Sequence, residues 1–292
     1  MNTRRNFLKQ AVIISVCASS GTRLPAIVFT SKKQKKMKLG LVTYQWGRDW
    51  DVPTLITNCE KARLSGVELR VEHAHAITPN LSLEERKTVA KRFADSSVTL
   101  VGFGTTCEFH MPDPNALRTH IEEAKKYIML SKDCGATGIK VRPNDLPREV
   151  EKEKTIAQIA HSLNEIGRFA ANYGQEIRLE IHGGCAQIPI IKSVIDQVSE
   201  KNVGLCWNCN GQDLEGPGLK ENFESVKNRL SGVIHIRELA SDTYPTRTLF
   251  DLLHSVKYDG YLLIEEGAML TSDERIRRLT KSAEIFAEWQ KK

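Results

Sequence analysis

Eight short apolar segments recur along the chain, and their spacing is the strongest constraint on what it can fold into. They are Lys38–Tyr44, Gly66–Val71, Val98–Phe103, Gly138–Arg142, Ile177–His182, Val203–Trp207, Val233–Arg237 and Tyr261–Glu265. Each is brief, rich in aliphatic residues and preceded by glycine or polar breakers, the signature of a parallel strand buried on both faces. The stretches between them carry helical periodicity, seen best over Asn115–Lys132 and Glu153–Tyr173. Thr271–Lys292 is a further helix, opened by Ser272-Asp273-Glu274, residues suited to a helix N-terminus. Strand and helix alternating eight times predict one closed (β/α)8 TIM barrel over residues 37–292, close to the roughly 250 residues such a barrel needs. An open doubly wound sheet is the alternative. No Gly-x-Gly-x-x-Gly follows the first strand and no Walker motif occurs, which weakens a nucleotide-binding reading.

The N-terminus reads as an address rather than as structure. Arg4-Arg5-Asn6-Phe7-Leu8-Lys9 is followed by the apolar run Ala11–Ala18 and then by small residues up to Pro25-Ala26. A charged start, a short apolar stretch and a small-residue exit make a signal peptide and not a membrane span. The arginine pair resembles a twin-arginine export signal, which implies a periplasmic destination. Residues 1–26 are therefore expected to be the export signal, and residues 27–36, with Lys32-Lys33-Gln34-Lys35-Lys36, a basic linker.

Charge and cysteine content narrow the function further. Residues 1–26 hold four basic side chains and no acidic one, so cleavage lowers the formal charge from +6 to +2. A nearly neutral mature chain lacks the broad positive field that binds a phosphate backbone, so neither nucleic acid nor a stably inserted membrane is an expected partner. The seven cysteines, at 17, 59, 107, 134, 185, 206 and 209, are scattered through apolar runs and read as buried thiols. Cys206-x-x-Cys209 falls on an expected strand, where alternation sends the two sulfurs to opposite faces.

Chemistry in a (β/α)8 barrel sits at the C-terminal ends of the strands. Glu180, Asn208, His235 and Glu265 end four successive late strands, 28, 27 and 30 residues apart. Each gap is one β/α unit, so the four side chains can converge. Two carboxylates, an imidazole and an amide oxygen suit a divalent ion such as Mn²⁺, Co²⁺, Mg²⁺ or Zn²⁺. A structural alternative for Glu180 is an ion pair with Arg178 on the same strand face. For the last strand, Glu265 rather than the adjacent Glu266 is taken as the inward residue.

The strings Gly66-Val-Glu-Leu-Arg, Leu179-Glu-Ile-His182, Val203-Gly-Leu-Cys-Trp-Asn208, His235-Ile-Arg-Glu238 and Leu263-Ile-Glu265 resemble the sugar phosphate isomerase/epimerase group, the xylose-isomerase-like barrels. The resemblance runs from about residue 37 to the end, and its specificity lies in the order and spacing of motifs that are individually short. It implies a metal held by Glu180, Asn208, His235 and Glu265, with the two glutamates as an acid/base pair. Asn208 departs from the family, which has Asp there, and removes one negative charge from the set.

Strand parity adds His182, Asn210 and Arg237 to the expected substrate-binding rim, with Arg142 at the end of the fourth strand. Glu72-His73-Ala74-His75 and Cys107-Glu108-Phe109-His110 are polar loops with a minor prospect of separate zinc binding. Trp46 and Trp207 are either sugar-stacking or core residues. The leading expectation is a metal-dependent isomerase or epimerase of a small carbohydrate, working through an enediolate. A lyase that eliminates the aglycone of 3-keto glycosides and a non-catalytic sugar-binding barrel are the alternatives. Abasic-site endonuclease activity, known among relatives, is disfavoured by the low charge. Replacing Arg4 and Arg5 by lysine is expected to abolish export, read by cell fractionation; unchanged periplasmic protein would contradict the twin-arginine assignment.

Overall fold

The computed structural model describes residues 36–291; the expected export signal and the linker up to residue 35 lie outside the described residues. Eight strands alternate with eight α-helices. The strands are β1 Lys38–Val42, β2 Gly66–Arg70, β3 Thr99–Glu108, β4 Gly138–Arg142, β5 Glu176–Glu180, β6 Val203–Cys206, β7 Val233–Ile236 and β8 Tyr261–Ile264. The helices are α1 Val52–Lys61, α2 Leu83–Ala94, α3 Pro114–Asp133, α4 Lys152–Ala171, α5 Ile188–Ile195, α6 Leu219–Val226, α7 Thr246–Ser255 and α8 Ser272–Trp289. All pairings are parallel, in the order β6-β5-β4-β3-β2-β1-β8-β7. The seam between β6 and β7 is looser: a bridge joins Leu205 to Leu230, and the amides of Ser231 and His235 donate to Leu205 O and Trp207 O, each at 2.8 Å. The result is a nearly closed (β/α)8 barrel, as the alternation predicts.

Local chemistry sets the helix starts. Asp51 accepts from the Thr54 amide at 2.9 Å, and Ser82 and Glu85 form a reciprocal capping box. Thr271 caps α8 one residue ahead of the Ser272 start. Among the described residues no helix is long and apolar enough to cross a membrane.

Strand parity divides the interior in two. Outward positions such as Leu39, Leu41, Val67, Leu69, Ile139, Val141, Ile177 and Leu179 join the main core under the helices. Inward positions form a small separate cluster, Val42, Val101, Cys206, Val233 and Leu263, sealed by Tyr261. Beside it the barrel interior is polar. Glu68, Lys140, Arg178, Glu180 and His235 are all at most 2% exposed. Glycines at neighbouring inward positions leave room for these long side chains: a Cβ on Gly102 would strike Arg178 Nη1 and come within 2.6 Å of Gly138 O. An extra residue in β3, marked by the register shift opposite Val67 and Glu68, turns Val101 into the lower cluster and sets Gly102 beside Glu68.

The six described cysteines are all buried and free. Cys206 and Cys209 do not share a strand as expected: β6 ends at Cys206, and Cys209 lies in the following loop with φ of 51°. Trp46 and Trp207 belong to the core. Trp46 donates to Ala268 O at 3.1 Å, and Trp207 packs edge-on against Phe223.

Filling the space at Gly102 tests whether the interior charges are tightly seated. Gly102→Ala is expected to destabilise the protein by about 1–3 kcal/mol. Gly211→Ala, where a Cβ meets nothing, should be neutral. Thermal denaturation showing equal midpoints for the two variants would contradict this packing.

Candidate active site

Three of the four expected ligands converge at the C-terminal mouth. Glu180 ends β5, His235 lies in β7, and Glu265 directly follows β8. One donor atom of each lies within 4.8 Å of the others, and this is the only such group of three or more among the described residues. His235 Nδ1 is 3.4 Å from Glu180 Oε1 and 3.4 Å from Glu265 Oε2, yet buried without a hydrogen bond to either. An orphaned imidazole nitrogen facing two carboxylate oxygens fits a divalent cation held by Glu180, His235 and Glu265. Asn208 is buried just beyond β6, and its side chain makes no hydrogen bond among the described residues. Glu266 turns away from the group and accepts from the Glu238 amide at 2.9 Å.

Two further charged residues contact this group, and sequence reasoning assigned neither. Lys140 Nζ donates to Glu180 Oε2 at 2.6 Å, with both side chains 2% exposed. Glu68 Oε1 lies 3.2 Å from His235 Nε2. The alternative pairing of Glu180 with Arg178 is not formed. Arg178 points to the opposite end of the strand face, where it pairs with Glu176 at 2.8 Å, donates to Val101 O and Thr137 Oγ1, and reaches Glu68 at 4.0 Å. The signal for both partners was parity: Glu68 in Gly66-Val-Glu and Lys140 in Gly138-Ile-Lys each stand two residues after an inward glycine.

Electrostatics follow from this packing. Burial pushes the Glu180 carboxyl up, but Lys140 and His235 outweigh it and hold it well below the usual carboxylate range. Burial likewise opposes the ionised Glu68, and His235, Lys140 and Arg178 prevail. For His235 burial favours the neutral ring, but Cys206 and the carboxylates Glu265 and Glu68 raise it well above an ordinary imidazole. A cation at Nδ1 would displace that proton, so binding should strengthen as pH rises.

The expected rim residues are placed as follows. Arg142 is half-buried and ion-paired with Glu108, leaving its buried Nε without a partner. His182 Nδ1 lies 2.9 Å from Asn144 Oδ1, and burial lowers its basicity. Asn210 is taken up by its own loop: its Nδ2 donates to Ile181 O at 2.5 Å, and it closes a capping box with Asp213. Arg237 donates to Glu265 O at 3.3 Å and lines a cavity of about 330 Å³ with Cys209, Tyr244 and Glu266. The loop histidines form no separate metal group. Both ring nitrogens of His75 are engaged, with Arg70 O at 2.7 Å and the Ile77 amide at 3.1 Å.

Behind that cavity lies a buried polar chain. Trp207 Nε1 donates to Tyr244 OH at 3.1 Å, and Tyr244 OH donates to Asp213 Oδ2 at 3.0 Å. Burial pushes the Asp213 carboxyl up to about 7, far above its ordinary value of 3.8. Below pH 3.8 both folded and unfolded states hold this proton. Between about pH 4 and 7 only the folded state keeps it, so stability falls as pH rises through that window. Asp213→Asn is expected to flatten this fall, read as unfolding free energy against pH; an unchanged slope would contradict the assignment.

Comparison with known proteins agrees with the geometry. Sequence comparison with curated proteins gives no match. Among solved structures, the IolI protein with a bound zinc atom superposes with a TM-score of 0.72 at 17% identity, covering 87% of this chain and 99% of its own. The 3-keto-D-glucoside 4-epimerase YcjR of E. coli gives 0.70 at 14%, covering 85% and 100%. D-psicose 3-epimerase of Clostridium cellulolyticum H10, solved with D-tagatose, gives 0.72 at 14%, covering 85% and 98%. At these identities the likeness establishes the fold. Residues 56–288 match the xylose isomerase-like TIM barrel family, and the chain belongs to it.

Proposed function

We propose that the protein is a divalent-metal-dependent enzyme of the sugar isomerase/epimerase kind, acting on a small carbohydrate with a carbonyl group. The observation that carries this reading is the convergence of Glu180, His235 and Glu265 on one point at the C-terminal mouth. These three residues would hold the ion, with the Asn208 amide oxygen as a neutral fourth donor. The ion, when bound, supplies Lewis-acid polarisation of a substrate oxygen.

The chain's own residues supply proton transfer and orientation. Glu180 and Glu265 flank His235, so two carboxylates reach one small volume from different strands. One removes the proton from the carbon next to the carbonyl and the other returns it. Lys140 keeps Glu180 ionised for that task. Arg142, with a free buried Nε, and His182 stand at the rim to bind hydroxyls. Structural relatives act in this chemical class: one is a 3-keto-D-glucoside 4-epimerase and another a D-psicose 3-epimerase. The exported, periplasmic location read from residues 1–26 favours a free or glycosidic sugar over a phosphorylated one.

A second reading is a lyase that eliminates the aglycone of a 3-keto glycoside. The cavity lined by Arg237 and Glu266 favours it, since it offers space that the second ring of a glycoside could occupy. The two readings share the proton-abstracting step and differ in product mass.

Glu180→Gln and Glu265→Gln are each expected to lower turnover at least about 100-fold, the scale of general acid–base catalysis. The assay is Mn²⁺-loaded protein with free ketoses and 3-keto glycosides, followed by mass spectrometry in D₂O. Deuterium uptake without loss of mass identifies an epimerase or isomerase, and cleavage identifies the lyase. Wild-type turnover and exchange in both variants would sink the acid/base assignment.

A further inference from the structure

Two buried charges flank the donor group with opposite signs. Glu68, on β2, touches the far nitrogen of His235. Lys140, on β4, touches the far oxygen of Glu180. Neither belongs to the donor group itself. We propose that Glu68 and Lys140 are positioning residues that set the affinity of the Glu180–His235–Glu265 group for a divalent cation, in opposite directions. This rests on the metal-binding reading above.

Glu68 strengthens the site. Its Oε1 fixes His235 through Nε2 at 3.2 Å, which leaves Nδ1 as the nitrogen facing Glu180 Oε1 and Glu265 Oε2. A carboxylate on the outer nitrogen of a ligating imidazole fixes the ring and makes it a better donor. The backbone is shaped to admit this residue: a Cβ on Gly104 would lie 2.9 Å from Glu68 Oε1.

Lys140 weakens the site. Its ammonium occupies Glu180 Oε2, so Glu180 has only Oε1 to offer. It also places a permanent positive charge two atoms from the donor oxygen, in a region where neither side chain is exposed enough for salt to screen it. Lys140 already balances Glu180, whereas Glu68 faces His235 and, at 4.0 Å, Arg178, which is itself paired with Glu176. Asn208 adds no charge, so Glu265 is the one carboxylate of the donor group with no lysine or arginine partner among the described residues. A site so balanced holds its cation weakly and exchangeably.

Calorimetric titration of the metal-free full chain with Mn²⁺, at one pH and salt concentration, tests the proposal without measuring turnover. Glu68→Gln keeps the volume and an acceptor oxygen but loses the charge, and its affinity is expected to fall about 10–100-fold. Lys140→Met keeps the apolar stem and loses the charge, and its affinity is expected to rise at least about tenfold. The double variant should lie between the two. If Lys140→Met does not fold with Glu180 unpaired, Lys140→Gln keeps a donor and should also bind more tightly. A purely structural role would move both single variants the same way. Binding by the wild type with both variants weaker, or both unchanged, overturns this proposal and leaves the metal-binding reading intact. No Mn²⁺ binding by the wild type or by any variant overturns both. Binding that emerges only in the Lys140 variants supports it.

Discussion

The structure depends on keeping ionised groups inside a closed parallel barrel. A buried charge without a partner costs several kcal/mol, and removing one member of a buried pair costs about 3–5 kcal/mol. This barrel buries Glu68, Lys140, Arg178 and Glu180 in its middle. They persist because each has an oppositely charged partner and their surroundings are cut to fit, with inward glycines, an extra residue in β3, and a small apolar cluster beside them. The outer core under the helices is ordinary aliphatic packing and could support many sequences. The inner core is specific, since Arg178 and Glu68 need the space left by Gly102 and Gly104 and each buried charge needs its partner.

That arrangement also explains the mouth. Lys140 and Glu68 come from early strands, whereas Glu180, His235 and Glu265 come from late ones. On the proposed reading, β2 and β4 supply the groups that would orient an ion site, and β5, β7 and β8 those that would hold the ion. Glu265 is the least enclosed of the three converging residues, with its side chain 15% exposed against 1% for His235. On the proposed reading it is the carboxylate that a substrate entering from solvent would meet first.

The strand order and most strand starts were legible because buried parallel strands are short apolar runs punctuated by breakers; six strands end one or two residues before their expected ends. β3 ran five residues past its expected end, because its C-terminal half, Gly104-Thr-Thr-Cys-Glu108, is too polar to read as a buried strand. The convergence of Glu180, His235 and Glu265 was legible from spacing, since one β/α unit separates equivalent positions, together with the strand-end place and family resemblance that favoured Glu265 over Glu266. The partners were not. Arg178 lies two residues from Glu180 and was the natural local choice, but alternate residues on one strand face stand at different heights in the barrel. Arg178 serves the layer below, and Lys140 reaches up from the neighbouring strand. Pairing across strands is set by register and tilt, which no single segment encodes. Asn210 shows a related limit, since strand parity stops at Cys206, where β6 ends, and its side chain is engaged with Ile181 O and the turn it caps.

Anomalous diffraction from crystals soaked in Mn²⁺ tests most directly whether a divalent cation sits between Glu180, His235 and Glu265 while Lys140 retains the outer oxygen of Glu180. One strong peak is expected about 2.0–2.3 Å from Glu180 Oε1, His235 Nδ1 and Glu265 Oε2. Glu68 should still hold His235 Nε2, and Lys140 should still hold Glu180 Oε2. No peak there, or an ion bound with Lys140 displaced from Glu180, would contradict that arrangement.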